Sequence, residues 1–355
     1  MLLVGGGSGG HIYPNLAVAE RLAPPESITP HLVVSQRPLD AEIAAASGLG
    51  WTAIPASPLG VRPRAGLRFL RDYRRGVAAT ARLIREHDVA AVLATGGFVS
   101  GPAVAAAKAA GVPVALVSLD AVPGRANRWT ARKADAVFSA YASADGLSGA
   151  EVVGFPLRRS AISHADSAEA RKHFGLEPDR RTLLVFAGSQ GAKTINEAMA
   201  RLYGGPSDAL RGWQVLHVTG PQGSPLTDSG SVKEFSYCDR MDLAWCAADA
   251  AVTRAGAGTV AEAWANAVPC VMLPYPFHKD EHQKHNAAPL VELGGAVVVK
   301  DRVDPAANAA ALVEVFASML NDDAKRQEMS DALRAKPPAD GAQRLADWIV
   351  SQVAP

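Results

Sequence analysis

Short apolar runs bounded by glycine, proline or polar residues alternate with longer amphipathic stretches along the whole chain, and few folds accept that order. A run of this kind reads as a strand buried on both faces. A stretch of helical period after it must cross the sheet before the next strand can lie parallel to it. Strands are expected at residues 2–4, 31–35, 51–54, 90–94, 113–116, 136–139 and 151–153, and again at 182–187, 214–218, 232–235, 250–253, 270–273 and 296–299. Helical patterns fall between them, among them 13–21, 65–86, 191–202, 259–267 and 283–293. The two halves open alike: Leu2-Leu3-Val4 runs into Gly5, and Leu183-Leu184-Val185 runs on to Gly188-Ser189-Gln190-Gly191. At 355 residues the chain exceeds the roughly 250 to 300 at which a single core stops growing. The expected fold is therefore α/β, with two Rossmann-like, doubly wound domains. Their boundary is placed at Gly154-Phe155-Pro156, giving domains 1–155 and 156–340, and the last helix, 341–353, is a candidate to pack back on the first.

The charge balance, 36 Lys plus Arg against 35 Asp plus Glu, leaves a net charge of +1 and excludes a generally basic nucleic-acid binder. The three cysteines, Cys238, Cys246 and Cys270, lack the C-x-x-C spacing of a zinc knuckle or redox centre and fit a reducing cytoplasm. Met1-Leu2-Leu3-Val4 leads straight into glycines, without the basic and apolar regions of a signal peptide. The richest apolar stretch, 103–119, is broken by Lys108, Gly111 and Pro113, short of the about 18 apolar residues of a membrane span. The expectation is a chain that neither leaves the cell nor spans a membrane.

Gly5-Gly6-Gly7-Ser8-Gly9-Gly10 satisfies G-x-G-x-x-G between a strand and a helix, where backbone N–H groups and a helix N-terminus face a phosphate; a tight turn that needs glycines only for packing reads the same. A nicotinamide site also needs an acid at the end of the second strand, but that strand ends Ser35-Gln36-Arg37 and Asp40 follows a proline. A P-loop ends in Gly-Lys-Ser/Thr, whereas this loop ends Gly10-His11-Ile12. Ala187-Gly188-Ser189-Gln190-Gly191 would put alanine at the first glycine of a nucleophile elbow. No Asp-x-Asp pair is present to share a metal with a diphosphate, so helix N-termini, amides and an arginine would have to stabilise one. Arg158, in Gly154-Phe155-Pro156-Leu157-Arg158, is the candidate, with a solvated linker arginine as the alternative. A further loop, Arg254-Ala255-Gly256-Ala257-Gly258-Thr259-Val260-Ala261-Glu262, opens a helix after a strand. Glu262 is placed to accept a ribose diol, or simply to complement the helix dipole.

Taken together, these segments resemble the bacterial MurG family, UDP-N-acetylglucosamine:undecaprenyl-diphospho-muramoylpentapeptide N-acetylglucosaminyltransferases. The resemblance runs nearly the whole chain in order: Gly5 through Pro14, Thr95-Gly96-Gly97-Phe98-Val99-Ser100-Gly101-Pro102, Val153 through Arg158, Gly188 through Ala192, Arg254 through Glu262, and Pro274-Tyr275-Pro276-Phe277-His278-Lys279-Asp280-Glu281-His282-Gln283 with Asn286. It implies the GT-B glycosyltransferase fold, two Rossmann-like domains facing a cleft, and inverting transfer of N-acetylglucosamine from UDP-N-acetylglucosamine to the C4 hydroxyl of the muramoyl sugar of lipid I, giving lipid II. It implies no cofactor and no metal, agreeing with the missing Asp-x-Asp. Donor contacts implied residue by residue are Ser189 and Arg158 at the diphosphate, Met241 at the uracil, Ala257, Gly258, Thr259, Val260 and Ala261 in the loop, Glu262 at the ribose, and His282 and Gln283 at the sugar hydroxyls. Ser8, Gly9 and Gly10 would close over the donor. His11 is the candidate base, because a neutral imidazole takes a proton near pH 7; positioning the sugar or phosphate is the alternative.

The chain departs from the family in two places. Asp120 stands where an asparagine contacts the donor sugar, replacing an amide donor by an acceptor-only carboxylate, and Phe155 replaces an asparagine before the crossover proline. A glycosyltransferase with another nucleotide sugar or lipid acceptor is the runner-up reading, and an idle UDP-sugar-binding homologue the third.

Residues 61–75 hold six arginines and one acid, with Leu67, Phe69, Leu70 and Tyr73 between them. Arg68, Phe69, Leu70, Arg71, Tyr73, Arg74 and Arg75 are candidates to meet the anionic cytoplasmic face of the inner membrane, where a peripheral enzyme reaches a polyprenyl-linked acceptor. The alternative is a helix whose Leu67 and Leu70 pack on the sheet. His87, His164, His173 and His217 are scattered and make no metal constellation.

Overall fold

The computed structural model describes residues 1–22, 28–60, 62–142, 146–188, 191–203, 208–221, 223 and 230–353. The chain forms two compact units, Met1–Arg159 with Ala339–Pro355, and Ser160–Pro338.

In the first unit the strands are β1 (Leu2–Val4), β2 (His31–Ser35), β3 (Gly50–Ile54), β4 (Val92–Ala94), β5 (Val114–Ser118), β6 (Ala136–Ser139) and β7 (Glu151–Val152), all parallel, in the order β3-β2-β1-β4-β5-β6-β7. Successive side chains of a strand point to opposite faces, so a strand covered on both sides must be apolar throughout. Leu3 accordingly joins Ile12, Val18 and Leu32 on one face, while Leu2 and Val4 join Val33, Val99 and Val104 on the other. The helix Gly341–Val353 completes the first face with Ala342, Leu345, Ala346 and Ile349, a spacing that puts all four on one stripe.

The second unit repeats the plan with β8 (Arg181–Phe186), β9 (Trp213–Val218), β10 (Val232–Phe235), β11 (Ala250–Thr253), β12 (Cys270–Met272) and β13 (Ala296–Val298), parallel, in the order β10-β9-β8-β11-β12-β13. Leu184 faces a cluster with Trp245, Val260 and Leu290, and Leu183 and Val185 face one with Ile195, Met199, Leu312 and Phe316.

The strands lie on the expected apolar runs, with ends shifted where hydrogen bonding outlasts hydrophobicity: β5 continues to Ser118, which pairs with Ser139 of β6. Six of the ten residues of the helix Ser100–Ala109 are buried, and alanines lie on both its buried and its open sides, so its sequence shows little helical period. Among the described residues no helix is long and apolar enough to cross a membrane.

In both sheets the order reverses direction, between β1 and β4 in one and between β8 and β11 in the other. At such a switch point the loops after adjacent strands diverge to opposite faces and open a crevice at the carboxyl ends, where ligands of this fold class bind. The glycine loops stand there: Gly5 follows β1, Thr95 follows β4, Ala187 follows β8 and Arg254 follows β11.

Candidate active site

The first glycine loop is packed too tightly for other residues. An added Cβ at Gly5 would fall 2.1 Å from the His11 carbonyl oxygen, and one at Gly97, whose φ is +78°, would fall 2.1 Å from the Gly6 oxygen. One loop amide is already taken. The helix Pro38–Ala46 carries Asp40 back under the loop, where its buried carboxylate accepts from Gly7 N–H at 2.6 Å and from the Ser35 backbone and hydroxyl. The acid that looked misplaced after a proline thus serves the loop itself, and its charge opposes a phosphate at that amide. Arg37 closes the turn by donating to the Gly7 carbonyl at 2.6 Å, with its guanidinium over the Phe98 ring.

His11 lies just inside the helix Gly9–Arg21 and is partly buried. Its Nδ1 is 3.1 Å from the Thr95 carbonyl oxygen. A carbonyl only accepts, so Nδ1 carries the hydrogen and Nε2 keeps its lone pair. The frame is held twice over: the Thr95 hydroxyl donates to the His11 carbonyl at 2.6 Å, and the Asn15 amide donates to the Thr95 hydroxyl at 3.1 Å. Burial pushes the imidazole below its ordinary pKa, opposed by the Asp120 charge, the Thr95 carbonyl and the Asp40 charge. His11 is therefore neutral at pH 7, and Asp120, beyond the end of β5, lies near enough to favour the imidazolium. Ser8 and Gly10 are exposed at the mouth of the loop and Gly9 is buried against Tyr13. Arg158 stacks on the same Tyr13 ring, 4.4 Å from its centroid.

In the second unit, Ser189 lies outside the described residues. Beside it, Gly191 has φ +68° and would put a Cβ 2.2 Å from the Thr219 oxygen. The helix Ala257–Ala265 is capped by Gly256, which has no side chain to satisfy the first amides. Ala257, Gly258 and Thr259 form that open first turn. Val260 and Ala261 are core residues, and the Val260 N–H is already bonded to the Gly256 oxygen at 2.9 Å. Glu262 is held by the Trp245 indole, which donates to its Oε2 at 2.9 Å. Trp245 shares its helix, Met241–Ala247, with Met241 at the helix start. Gln283 accepts from the Tyr275 N–H at 2.8 Å, and His282 Nδ1 is 2.9 Å from Asp280 Oδ1.

Other supporting contacts join motif residues to partners that the sequence did not single out. Arg254 is buried, pairs with fully buried Asp301 at 2.7 Å and donates to the Leu273 carbonyl at 2.8 Å; Asn286 ties the helix His282–Glu292 to the Ala255 oxygen. His278 also joins Asp280 and His282 in one cluster of possible metal ligands, a grouping visible in the sequence only as His-x-Asp-x-His.

The arginine-rich segment forms the start of the helix Pro63–Glu86, whose inner face is Asp72, Gly76, Thr80, Leu83 and Ile84. Leu67 and Leu70 do not pack on the sheet: they are 70% and 45% exposed. The helical period places Asp72 inward instead, where Ser57 and then Arg71 hold its carboxyl below the ordinary range. Arg68, Arg71, Arg74 and Arg75 are exposed; Phe69 and Tyr73 are partly covered and stack 5.8 Å apart. Tyr73 meets exposed Trp129 edge-on, and Lys133 lies over that indole, so the short helix Arg125–Ala131 extends the surface.

Two family descriptions match the chain: glycosyltransferase family 28 N-terminal domain over residues 1–139 and glycosyltransferase family 28 C-terminal domain over residues 182–345. The UDP-N-acetylglucosamine--N-acetylmuramyl-(pentapeptide) pyrophosphoryl-undecaprenol N-acetylglucosamine transferase of Leifsonia xyli subsp. xyli is 41% identical, covering 98% of this chain and 97% of the relative. The protein of the same name from Clavibacter sepedonicus is 38% identical over 99% of this chain and 96% of its own. The crystal structure of Acinetobacter baumannii MurG superposes with a TM-score of 0.74 at 23% identity, covering 99% of this chain and 98% of that one, and shares the GT-B fold. The breadth of these matches and the glycine loops at both switch points lead to one conclusion: the chain belongs to glycosyltransferase family 28 and, within it, to the MurG family of N-acetylglucosamine transferases.

Proposed function

We propose that the protein transfers N-acetylglucosamine from UDP-N-acetylglucosamine to the C4 hydroxyl of the muramoyl sugar of lipid I, with inversion at the anomeric carbon and no metal. The relatives' names support donor and acceptor. The observation that carries the chemistry is His11, whose Nδ1–H is anchored on the Thr95 carbonyl so that Nε2 is left as a base. His11 takes the acceptor proton as the oxygen attacks the anomeric carbon from the face opposite UDP, and one displacement inverts that centre. Asp120 stabilises the imidazolium formed, a role for a carboxylate that an asparagine would fill less well.

The donor belongs to the second unit. The uncapped amides of Ala257, Gly258 and Thr259 carry the positive end of a helix dipole suited to a leaving diphosphate. Glu262, oriented by Trp245, accepts from the ribose, and Met241, His282 and Gln283 take the uracil and sugar positions. Ser189 is assigned to the diphosphate by resemblance alone. Arg158 would serve the diphosphate by sharing its guanidinium with the Tyr13 ring. Ser8, Gly9 and Gly10 belong to the loop closing on the donor.

Exposed Leu67 and Leu70 among arginines support peripheral docking on the anionic cytoplasmic face of the inner membrane, at about 1 kcal/mol for each arginine near the surface. Charge reversal at Arg68, Arg71 and Arg75 is expected to abolish binding to anionic vesicles at low salt; undiminished binding would remove docking from the proposal. Incubation with UDP-N-acetylglucosamine and a lipid I analogue tests the reaction. Transfer to the analogue supports it, transfer only to other acceptors or donor hydrolysis supports a related glycosyltransferase, and donor binding without turnover supports an idle homologue.

A further inference from the structure

We propose that His278, Asp280 and His282 form a site for a borderline divalent transition metal such as zinc, and that an ion there excludes the sugar donor. Each side chain brings one ligand atom, and these atoms lie within 4.8 Å of one another. Tetrahedral zinc, with bonds of about 2.0 to 2.1 Å, holds its ligands about 3.3 Å apart, so closing the site asks only for side-chain rotations. His282 Nδ1 and Asp280 Oδ1 already stand 2.9 Å apart, a spacing an ion takes over by displacing the shared proton. The imidazoles of His278 and His282 lie alongside each other, 4.4 Å between centroids with planes 31° apart.

The backbone sets up this grouping. Glu281 sits in the left-handed region at φ 46°, which non-glycine residues seldom occupy, and the turn returns Asp280 to the amide of His282 at the start of its helix. Two imidazole nitrogens and one carboxylate suit zinc, nickel or copper, whereas magnesium and calcium prefer all-oxygen sets. Three protein ligands leave one tetrahedral position for water, and the solvent exposure of Asp280, 54%, gives an ion its entry path.

Metal binding stands on this geometry alone. Exclusion of the donor rests on the proposed reading of His282 as a sugar contact: an ion on Nδ1, which now faces Asp280, leaves the ring hydrogen on Nε2, so that Nε2 can donate to a hydroxyl but no longer accept from one. By reciprocity, donor and metal then weaken each other by the same factor.

The test is isothermal titration of tag-free, full-length protein with zinc chloride, followed by titration of UDP-N-acetylglucosamine with and without zinc. One zinc per chain is expected, bound about tenfold or more weakly by His278→Ala and by Asp280→Asn, and zinc should weaken the donor in the wild type but not in His278→Ala at the same concentration. Cobalt in place of zinc should give the visible absorption of a tetrahedral site, lost in His278→Ala. Absence of saturable binding, or equal binding by all three proteins, overturns the site. Saturable binding with unchanged donor affinity overturns the exclusion and counts against His282 as a sugar contact. Transfer by the zinc-free enzyme reports on the proposed function independently of either result.

Discussion

In the first unit the amide of Gly7 is occupied by the carboxylate of Asp40, and the imidazole of His11 stands beside it with one nitrogen anchored. In the second, the helix Ala257–Ala265 begins behind a glycine that supplies no cap, and the carboxylate of Glu262 within that helix accepts from the Trp245 indole. The two loops occupy the same place relative to a switch point, yet one holds its own negative charge and a base while the other leaves amides open. A glycine pattern therefore specifies how closely the backbone approaches; the charge it welcomes is decided by what the rest of the unit places against it. On the proposed reading, proton transfer falls to the first loop and the diphosphate to the second.

The strongest challenge to that division is His11→Ala. Loss of a positioned base should lower kcat about 10²- to 10⁴-fold with little change in donor KM, measured by steady-state transfer. A rise in donor KM with kcat retained would make His11 a donor-positioning residue and blur the two loops. Next comes Asp301→Asn, which leaves Arg254 buried without its charge partner beneath the second loop. Chemical denaturation should show a loss of about 3 to 5 kcal/mol.

The second unit should lose stability in acid through His217, whose imidazole burial pushes down to about 4. The unfolded chain binds that proton near 6.5, so stability falls as pH drops from about 6.5 to about 4 and then levels, by about 3 kcal/mol in all, as denaturation across that range should show. A smaller effect separates the loops directly. Glu262→Gln should weaken UDP about tenfold by calorimetry, whereas Asp40→Asn should lower the melting temperature and leave UDP affinity unchanged. Tighter UDP binding by Asp40→Asn would show that the first loop also takes phosphate.

The smallest effect is expected from Asp120→Asn. Activity should fall as pH drops through the His11 pKa, on a limb below its ordinary 6.5 because burial dominates. Removing the Asp120 charge should move that limb to still lower pH and lower the plateau several-fold, since a less basic imidazole is a weaker proton acceptor. An unmoved limb would dissociate Asp120 from His11.

The sequence by itself determined the strands, the two doubly wound units and the position of the glycine loops. Each depends on a local pattern: an apolar run long enough for a buried strand, a helical period, or a glycine where no side chain fits. His11 and Glu262 stood out beside the glycine loops, whereas His282 and Gln283 were named from the family resemblance of their segment. Tertiary structure alone decided what those residues touch. Asp40 reaches the loop of Gly7, Thr95 anchors His11, Trp245 turns Glu262, and Asp301 balances Arg254 through contacts between segments far apart in the chain. The outward face of Leu67 and Leu70 was settled in the same way, because a pattern of arginines and leucines fits a buried or an exposed stripe until the phase of the helix against its sheet is known. Hydrogen bonds and ion pairs of this kind depend on distances within a few ångströms, and only the packing of the folded units sets those distances.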